Sequence, residues 1–511
     1  MNILFITADQ WRGDCLSALN HPHVKTPNLD ALAADGVIFK RHYAQAIPCG
    51  PSRACLYTGM YLQNHRSVLN GTPLDARHTN VALEARKAGY KPALFGYTDV
   101  SLDPRQYDID YGYEGVLPGM VPIAHVNGSG KLWFGDLKAK GYEIPKEPLD
   151  IYKPRPDYPG AENKGKTFAP PVFKAEDSRA AFLVDEAIKY VSVHQDDPWF
   201  AHVSFLSPHP PFSVAEPFNH LYDAEDMPLP VRRESPEAEA AQHPWLNYFL
   251  FNKRRRGWTL DKDSDDNHSI SELDLRQIKA TYYGMISEID SQIGRLMDYL
   301  KETGAYDNTL IIFTTDHGEY LGDHWMFSKY CYFEQTFHIP LILRDPASGA
   351  RSSRGSAVDA FTESIDIMPT ILDAVGVDIP EQCDGHSLLP FCRGEQPDGW
   401  RREYHAEFDL RCPYQIDEPI PLGLKLRQCA VNVIRGERYK YIHFTALPPL
   451  FFDLEEAPDE FHDLAADPAY QGRVLEYAGK MLSWRMRHET PALTDIHLTR
   501  EGEIVHGLRS R

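Results

Sequence analysis

The stretch Ala46-Ile47-Pro48-Cys49-Gly50-Pro51-Ser52-Arg53-Ala54-Cys55-Leu56-Tyr57 sets a cysteine between two prolines at the mouth of a helix. Pro51 suits a first helical position, where its missing N–H costs nothing, and the helical reading continues to Gly59. Cys49 then sits just ahead of a helix N-terminus, where free N–H groups and the helix dipole attract anions. That is a place for a nucleophile meeting an anionic substrate. The plain alternative is a thiol buried in a turn.

Four other polar clusters each follow at once on an apolar run. Asn2 to Thr7 leads into Asp9-Gln10, and Pro92 to Phe95 leads into Gly96-Tyr97-Thr98-Asp99. Trp199 to Phe205 leads into Ser207-Pro208-His209-Pro210-Pro211, and Thr309 to Thr314 leads into Asp316-His317-Gly318. Continuous apolar runs indicate strands buried on both faces, as in a parallel sheet. Ligands of open α/β sheets bind beyond the carboxyl ends of the strands. Clusters far apart in sequence can therefore converge on one site.

The elements that position them are legible at low resolution. Ile278, Tyr282, Met285, Ile289, Ile293, Leu296 and Leu300 recur at spacings of three and four, which predicts a helix over about 271–302. A second helix is predicted from about Asp366 to Val375, with Asp366 as its N-cap and Pro369 in its first turn. Residues 144–171, rich in Pro, Lys and Gly, read as a long surface loop or lid. Beyond Pro390 the pattern changes. Tyr439 to Phe444 reads as an antiparallel strand and Tyr477 to Arg487 as a closing helix. The expected fold class is α/β: a large, mostly parallel sheet flanked by helices over residues 1–385, with a smaller C-terminal α+β subdomain containing an antiparallel sheet over 386–511.

Bulk composition narrows the function. A chain of 511 residues suits a large catalytic domain plus a smaller one. A net charge of −20 argues against non-specific binding to nucleic acid or an anionic membrane surface. The one basic block, Lys253-Arg254-Arg255-Arg256, reads as a solvated loop. No apolar run reaches membrane-spanning length. The start, MNILFITADQ, lacks a charged leader region and a small-residue cleavage site, so it reads as a strand of a cytoplasmic enzyme. The eight cysteines are scattered without a C-x-x-C pair, which gives no zinc site or disulfide framework.

Cys49-Gly50-Pro51-Ser52-Arg53, followed by Thr58-Gly59, resembles the C-x-P-S-R signature of the sulfatases, within the alkaline phosphatase superfamily. The resemblance runs the length of the chain. Asp9-Gln10 looks like the family's first metal pair. Asp316-His317-Gly318-Glu319, then Gly322-Asp323-His324, looks like the second pair and its loop. Lys329 stands where the family places a substrate lysine. Leu450 to Leu454, Pro458, Glu460 and Asp463-Leu464-Ala465 look like its C-terminal subdomain. Within the family the chain is most similar to the phosphonate monoester hydrolases and the arylsulfatases related to them. Asp-Gln and Asp-His as the metal pairs point that way, with Tyr61-Leu62, Asn64-His65-Arg66, Asn70, Gly96-Tyr97-Thr98 and Phe444 to Asp453.

The resemblance implies that Cys49 is a precursor, oxidised to formylglycine by a separate formylglycine-generating enzyme that reads this motif. A hydrated aldehyde carries two hydroxyls on one carbon. One attacks sulfur or phosphorus and displaces the alcohol, and loss of a proton from the other reverses the attachment and expels the anion. Asp9, Gln10, Asp316 and His317, with residue 49, are implied to hold one divalent metal ion. Oxygen donors suit calcium, whereas an imidazole shifts preference toward manganese. Manganese is the expectation and calcium the second choice. Arg53 resembles the arginine that orients the formylglycine. Lys329 and His209 are expected to bind ester oxygens, and His209 to protonate the leaving alkoxide. For His209 the alternative is a rigid turn. Asn70, Tyr97 and Thr98 resemble residues on the substrate side, against a helix-end amide and a core tyrosine as plainer readings for Asn70 and Tyr97.

The chain departs from the family at one place. Many sulfatases carry G-K-x-H where this sequence has Gly96-Tyr97-Thr98-Asp99. One cation fewer suits singly charged esters. It also leaves Asp99 as the candidate base for collapse of the covalent adduct, unless Asp99 only caps the turn before Asp103-Pro104. The expected function is hydrolysis of sulfate monoesters and phosphonate monoesters, with phosphodiesters as a further substrate class, by a homo-oligomer (dimer or tetramer). Two alternatives stand beside it. One is a phosphodiesterase of this fold with an unmodified nucleophile, and the other is an inactive anion-binding member of the fold.

Overall fold

The computed structural model describes residues 1–106, 115–127, 130–252, 268–411, 420–490, 496–498, 500 and 504–506. The basic block at 253–256 and Cys412 lie outside the described residues. The seven described cysteines are free thiols.

A nine-stranded sheet organises the larger part of the chain. Its strands are β1 (Asn2–Asp9), β2 (Val37–Tyr43), β3 (Ala93–Gly96), β4 (Val121–His125), β5 (Phe200–Pro208), β6 (Thr309–Thr315), β7 (His338–Ile339), β8 (Leu341–Arg344) and β9 (Ser356–Glu363). They lie in the order β4-β3-β5-β1-β6-β8-β2-β7, with β9 also on β2. The run β4-β3-β5-β1-β6 is parallel throughout, and antiparallel pairing begins at β6–β8. β1 is central, in register with Phe200 to Phe205 on one side and Thr309 to Thr315 on the other.

Both faces of this sheet are covered, which is why its strands read as unbroken apolar runs. Leu4, Ile6 and Ala8 point into a core shared with the helices Arg179–Val193 and Glu272–Glu302. Ile3 and Phe5 point into a second core with Ala54, Leu56 and Tyr57 of the helix Cys49–Thr58 and Ile367, Met368 and Ile371 of Ile367–Ala374. The helix Glu272–Glu302 is capped by Ser271, whose hydroxyl accepts from Asp274 N at 3.1 Å. All seven apolar positions of its predicted stripe are buried.

Two local expectations change, and a third gains detail. The helix after β2 begins at Cys49 itself, so Pro51 is its third residue. Proline is tolerated there because the first four N–H groups of a helix have no intrahelical acceptor. Asp366 does not cap the helix Ile367–Ala374 with its side chain. It accepts instead from Glu363 N and His386 N and pairs with Arg401, sitting in a short 3-10 turn ahead of the helix. Residues 144–171 are irregular but pinned: Thr167 Oγ1 meets Thr281 Oγ1 at 2.9 Å, and Phe168 is buried.

A second sheet is antiparallel, with β10 (Tyr404–Asp409), β11 (Ala430–Arg435), β12 (Tyr439–Phe444) and β13 (Leu450–Asp453) in that order. One face is covered by the helix Gln471–Arg487 through Tyr477 and Met481. The other packs Val431, Val433, Phe444 and Phe452 against Tyr320, Tyr332, Phe333 and Phe337. The smaller sheet thus clamps the loop that follows β6. Leu388, Leu389 and Phe391 still belong to the second core of the large sheet, and the antiparallel sheet starts at Tyr404. Among the described residues no helix is long and apolar enough to cross a membrane.

Candidate active site

The parallel strands deliver the predicted clusters to one end of the sheet. Asp9 ends β1, Asp316 and His317 follow β6, and His209 follows β5. The head of the helix Cys49–Thr58 faces them. Gly96 allows a close approach: a Cβ there would stand 2.0 Å from the Ser204 carbonyl oxygen, and its φ of 109° is one that glycine tolerates.

Asp9, Cys49, Asp316 and His317 each present one ligand atom, all within 4.8 Å of one another and all buried. His317 Nε2 lies 3.2 Å from Cys49 Sγ, and 3.8 and 3.7 Å from Asp9 Oδ1 and Asp316 Oδ2. Its Nδ1 is 3.0 Å from the Gly318 carbonyl oxygen. That contact places the proton on Nδ1 and turns the Nε2 lone pair into the cluster, as a metal-binding imidazole requires. Burial also holds the imidazole below its ordinary pKa, which keeps it neutral. Two carboxylates, a neutral imidazole and residue 49 fit a divalent cation.

Arg53 supports both carboxylates. Its Nε donates to Asp316 Oδ2 at 2.9 Å and its Nη2 to Asp9 Oδ2 at 3.0 Å. Nη1 donates to Ser204 Oγ at 3.0 Å, and the guanidinium lies 4.5 Å from the Tyr97 ring centroid. The Tyr97 hydroxyl donates to the same Asp9 oxygen. Burial opposes charge on Asp9, but His209, Arg53, Lys329 and His317 outweigh it and hold the carboxyl well below the usual range. Cys49 moves the other way. Burial, with the charges of Asp9, Asp316 and Asp99, pushes its thiol well above the ordinary value. A protonated thiol is a poor nucleophile.

Gln10 sits at the edge of this cluster with φ 69°, a left-handed backbone that non-glycine residues adopt at constrained sites. Its backbone N–H donates to Asp316 Oδ1 at 3.1 Å. Its amide is held from both ends: Lys329 Nζ donates to Oε1 at 2.7 Å, and Nε2 donates to Glu319. His209 Nδ1 is 2.7 Å from the Pro210 carbonyl oxygen, which frees Nε2. Burial and Lys329 bring its pKa down to about 4.

Comparison with known proteins follows the same lines. The Sulfatase family model matches residues 1–377, and the model of the N-sulphoglucosamine sulphohydrolase C-terminal region matches residues 322–487. The chain belongs to the sulfatase family. It is 42% identical to the multifunctional alkaline phosphatase superfamily protein PehA of Trinickia caryophylli, over 98% of each chain. The crystal structure of the phosphonate monoester hydrolase of Agrobacterium radiobacter superposes with a TM-score of 0.93 at 44% identity, covering 99% of this chain and 100% of that one. An arylsulfatase of Clostridium perfringens is 26% identical over 99% of each chain. This sulfatase-family chain is accordingly a hydrolase acting on ester bonds.

The remaining predicted residues of this sulfatase divide. Asp99 stands beside the helix head, half-buried, with φ 53° and its carbonyl oxygen 3.3 Å from where a Gly50 side chain would start. Asn70 Oδ1 accepts from Gly50 N at 2.8 Å, so its amide oxygen secures the first turn of the helix. Thr98 does not offer its hydroxyl to the site. Being buried, it needs an acceptor, and it donates to the Gly115 carbonyl at 2.9 Å. Two contributors escaped sequence reasoning. Ser204 is a strand residue whose hydroxyl holds Arg53, and only its place near the end of β5 hints at it. Glu319 lies three residues past Asp316 and fixes the Gln10 amide, while accepting from Leu321 N at 3.0 Å and from Ser328 N at 2.6 Å.

Proposed function

We propose that this sulfatase hydrolyses sulfate monoesters and phosphonate monoesters, with phosphodiesters as a further class, using formylglycine made from Cys49 by a formylglycine-generating enzyme. The observation that carries the proposal is the meeting of Cys49 with Asp9, Asp316 and His317 at one helix head, within 4.8 Å. The names of the relatives, a phosphonate monoester hydrolase and an arylsulfatase, support the two ester classes.

Hydrated formylglycine would supply the attacking hydroxyl. Asp9, Asp316 and His317, with the Gln10 amide as a fourth donor, would hold one divalent ion, manganese before calcium, whose chemistry is to acidify that hydroxyl and offset charge on the ester oxygens. Arg53 pairs with both carboxylates and aims them inward. Lys329, buried and tied to Gln10, offers a fixed positive charge to an ester oxygen. His209 presents Nε2 on the same side. An anionic ester arriving between Lys329 and His209 offsets the lysine's repulsion and raises the affinity of His209 for a proton, which it then gives to the departing alkoxide. Tyr97 takes the place of the cation many relatives carry, so the site holds less positive charge and favours singly charged esters. Asp99, across the helix head, is the base for product expulsion, and Asn70 orients the head.

The test is a comparison of kcat/KM for an aryl sulfate and an aryl phosphonate monoester on fully modified protein. Turnover of both supports the assignment. Turnover of neither, with intact metal and modified residue 49, contradicts it.

A further inference from the structure

Gln10 differs from Asp9 and Asp316 in one respect. A carboxylate presents oxygen whichever way it turns, whereas an amide presents oxygen one way and NH2 the other, and only the oxygen can serve a cation. The backbone of Gln10 is fixed. Its N–H donates to Asp316 Oδ1 at 3.1 Å, and its carbonyl oxygen accepts from Tyr282 Oη at 2.7 Å. The side chain is fully buried. Its terminal torsion has little preference of its own, so the partners at the two ends of the amide decide which atom points where.

At one end Lys329 Nζ donates to Oε1 at 2.7 Å. An ammonium has no acceptor, so it tolerates only the oxygen there. At the other end Nε2 donates to Glu319 Oε2. Glu319 is also fully buried, and its second oxygen is taken by Leu321 N at 3.0 Å and Ser328 N at 2.6 Å. Those two bonds fix the direction of the carboxylate itself.

We propose that Glu319 is a positioning residue for the metal site, a role that rests on Gln10 being a metal donor: as the acceptor opposite Lys329, it selects the amide oxygen of Gln10 as the atom offered to the cation. Glu319→Gln isolates this role. The oxygen of the new amide stays with Leu321 N and Ser328 N, so its NH2 meets Gln10. The Gln10 amide then has a donor at both ends, and either orientation leaves one NH2 facing a donor in a fully buried site. Adding Gln10→Glu sets two oxygens between two donors and pairs every group again. Gln10→Glu alone sets two carboxylates against each other.

The test is calorimetric titration of the full-length protein, stripped by chelator, with Mn2+. Glu319→Gln should weaken binding about 10- to 100-fold. Gln10→Glu should tighten binding more in the Glu319→Gln background than in the wild type, by a coupling on the order of tenfold. If Glu319→Gln alone does not fold, recovery of the near-UV circular dichroism in the paired variant reads the same coupling. A role confined to holding Leu321 and Ser328 keeps its oxygen in Glu319→Gln and predicts wild-type affinity. That result, or an equal effect of Gln10→Glu in both backgrounds, would overturn the proposal while leaving the metal site standing. A wild type that binds no Mn2+ would overturn both.

Discussion

His317 Nε2 stands 3.2 Å from Cys49 Sγ, although 268 residues separate them in the chain. One belongs to the loop after β6 and the other opens the helix Cys49–Thr58. Their contact joins the modifiable residue to the donor set in a space with no room for bulk water between them.

Removing one carboxylate from the cluster leaves Arg53 without one of its two anionic partners and a bound cation without a ligand. Asp316→Ala is expected to lose metal and activity together. Lewis-acid assistance is worth several kcal/mol, so the fall in kcat/KM should be on the order of 10³-fold. Elemental analysis beside the rate measurement checks it. Wild-type metal content in this variant would remove Asp316 from the ligand set.

His209 acts on the leaving group in this account, so its removal should depend on that group. His209→Asn is expected to cost on the order of 10²–10⁴ in rate for alkyl esters, whose alkoxides need a proton. Aryl esters with acidic phenols should lose far less. A uniform loss across leaving groups would mean that His209 binds the ester rather than protonating it.

Asp99→Asn preserves shape and removes the base. It should release the alcohol in a burst and then turn over slowly, with a steady-state loss on the order of 10²–10⁴. Rapid-quench kinetics separate the two phases. Near-normal steady-state turnover without a burst would leave Asp99 as a turn residue, held at φ 53° for the backbone's sake.

Acid should destabilise the fold well above the carboxylate range. Burial holds His42, His65 and His202 neutral, with pKa values of about 3 against 6.5 for an exposed imidazole. Each takes up a proton on unfolding once the pH is below the unfolded value. Their contribution is fully present above about pH 6.5 and is lost as pH falls toward the folded values, by up to about 1.4 kcal/mol per pH unit per histidine. Urea unfolding between pH 7.5 and about 5 should show this slope, and replacing His202 with a neutral isostere should flatten it. Stability constant over that range would contradict the assignment.

How much of this was legible in the sequence depended on the kind of constraint. β1, β3, β5 and β6 could be read because two-sided burial imposes unbroken apolar runs, and their carboxyl ends marked the site. The Glu272–Glu302 helix declared itself by its stripe. Asp366 misled because a carboxylate ahead of a helix can serve partners remote in sequence, here Arg401 and His386 N. Thr98 misled because nothing local shows that Gly115 supplies an acceptor across the turn. The bracing of Gln10 by Glu319 and Lys329, and of Arg53 by Ser204, joins segments more than 150 residues apart and leaves no periodic trace. Residues 144–171 could be read as a surface loop from their Pro, Lys and Gly content, but not their anchor, Thr281, which lies on the long helix.

The central claim is that residue 49 works as formylglycine. Peptide mass spectrometry over residues 42–53, run on the same preparations whose specific activity is measured, tests it most directly. The account predicts that activity rises in proportion to the fraction of Cys49 converted to the aldehyde, and that protein made without the modifying enzyme is nearly inactive although it binds metal. Full activity in protein carrying only the unmodified thiol at Cys49 would contradict it.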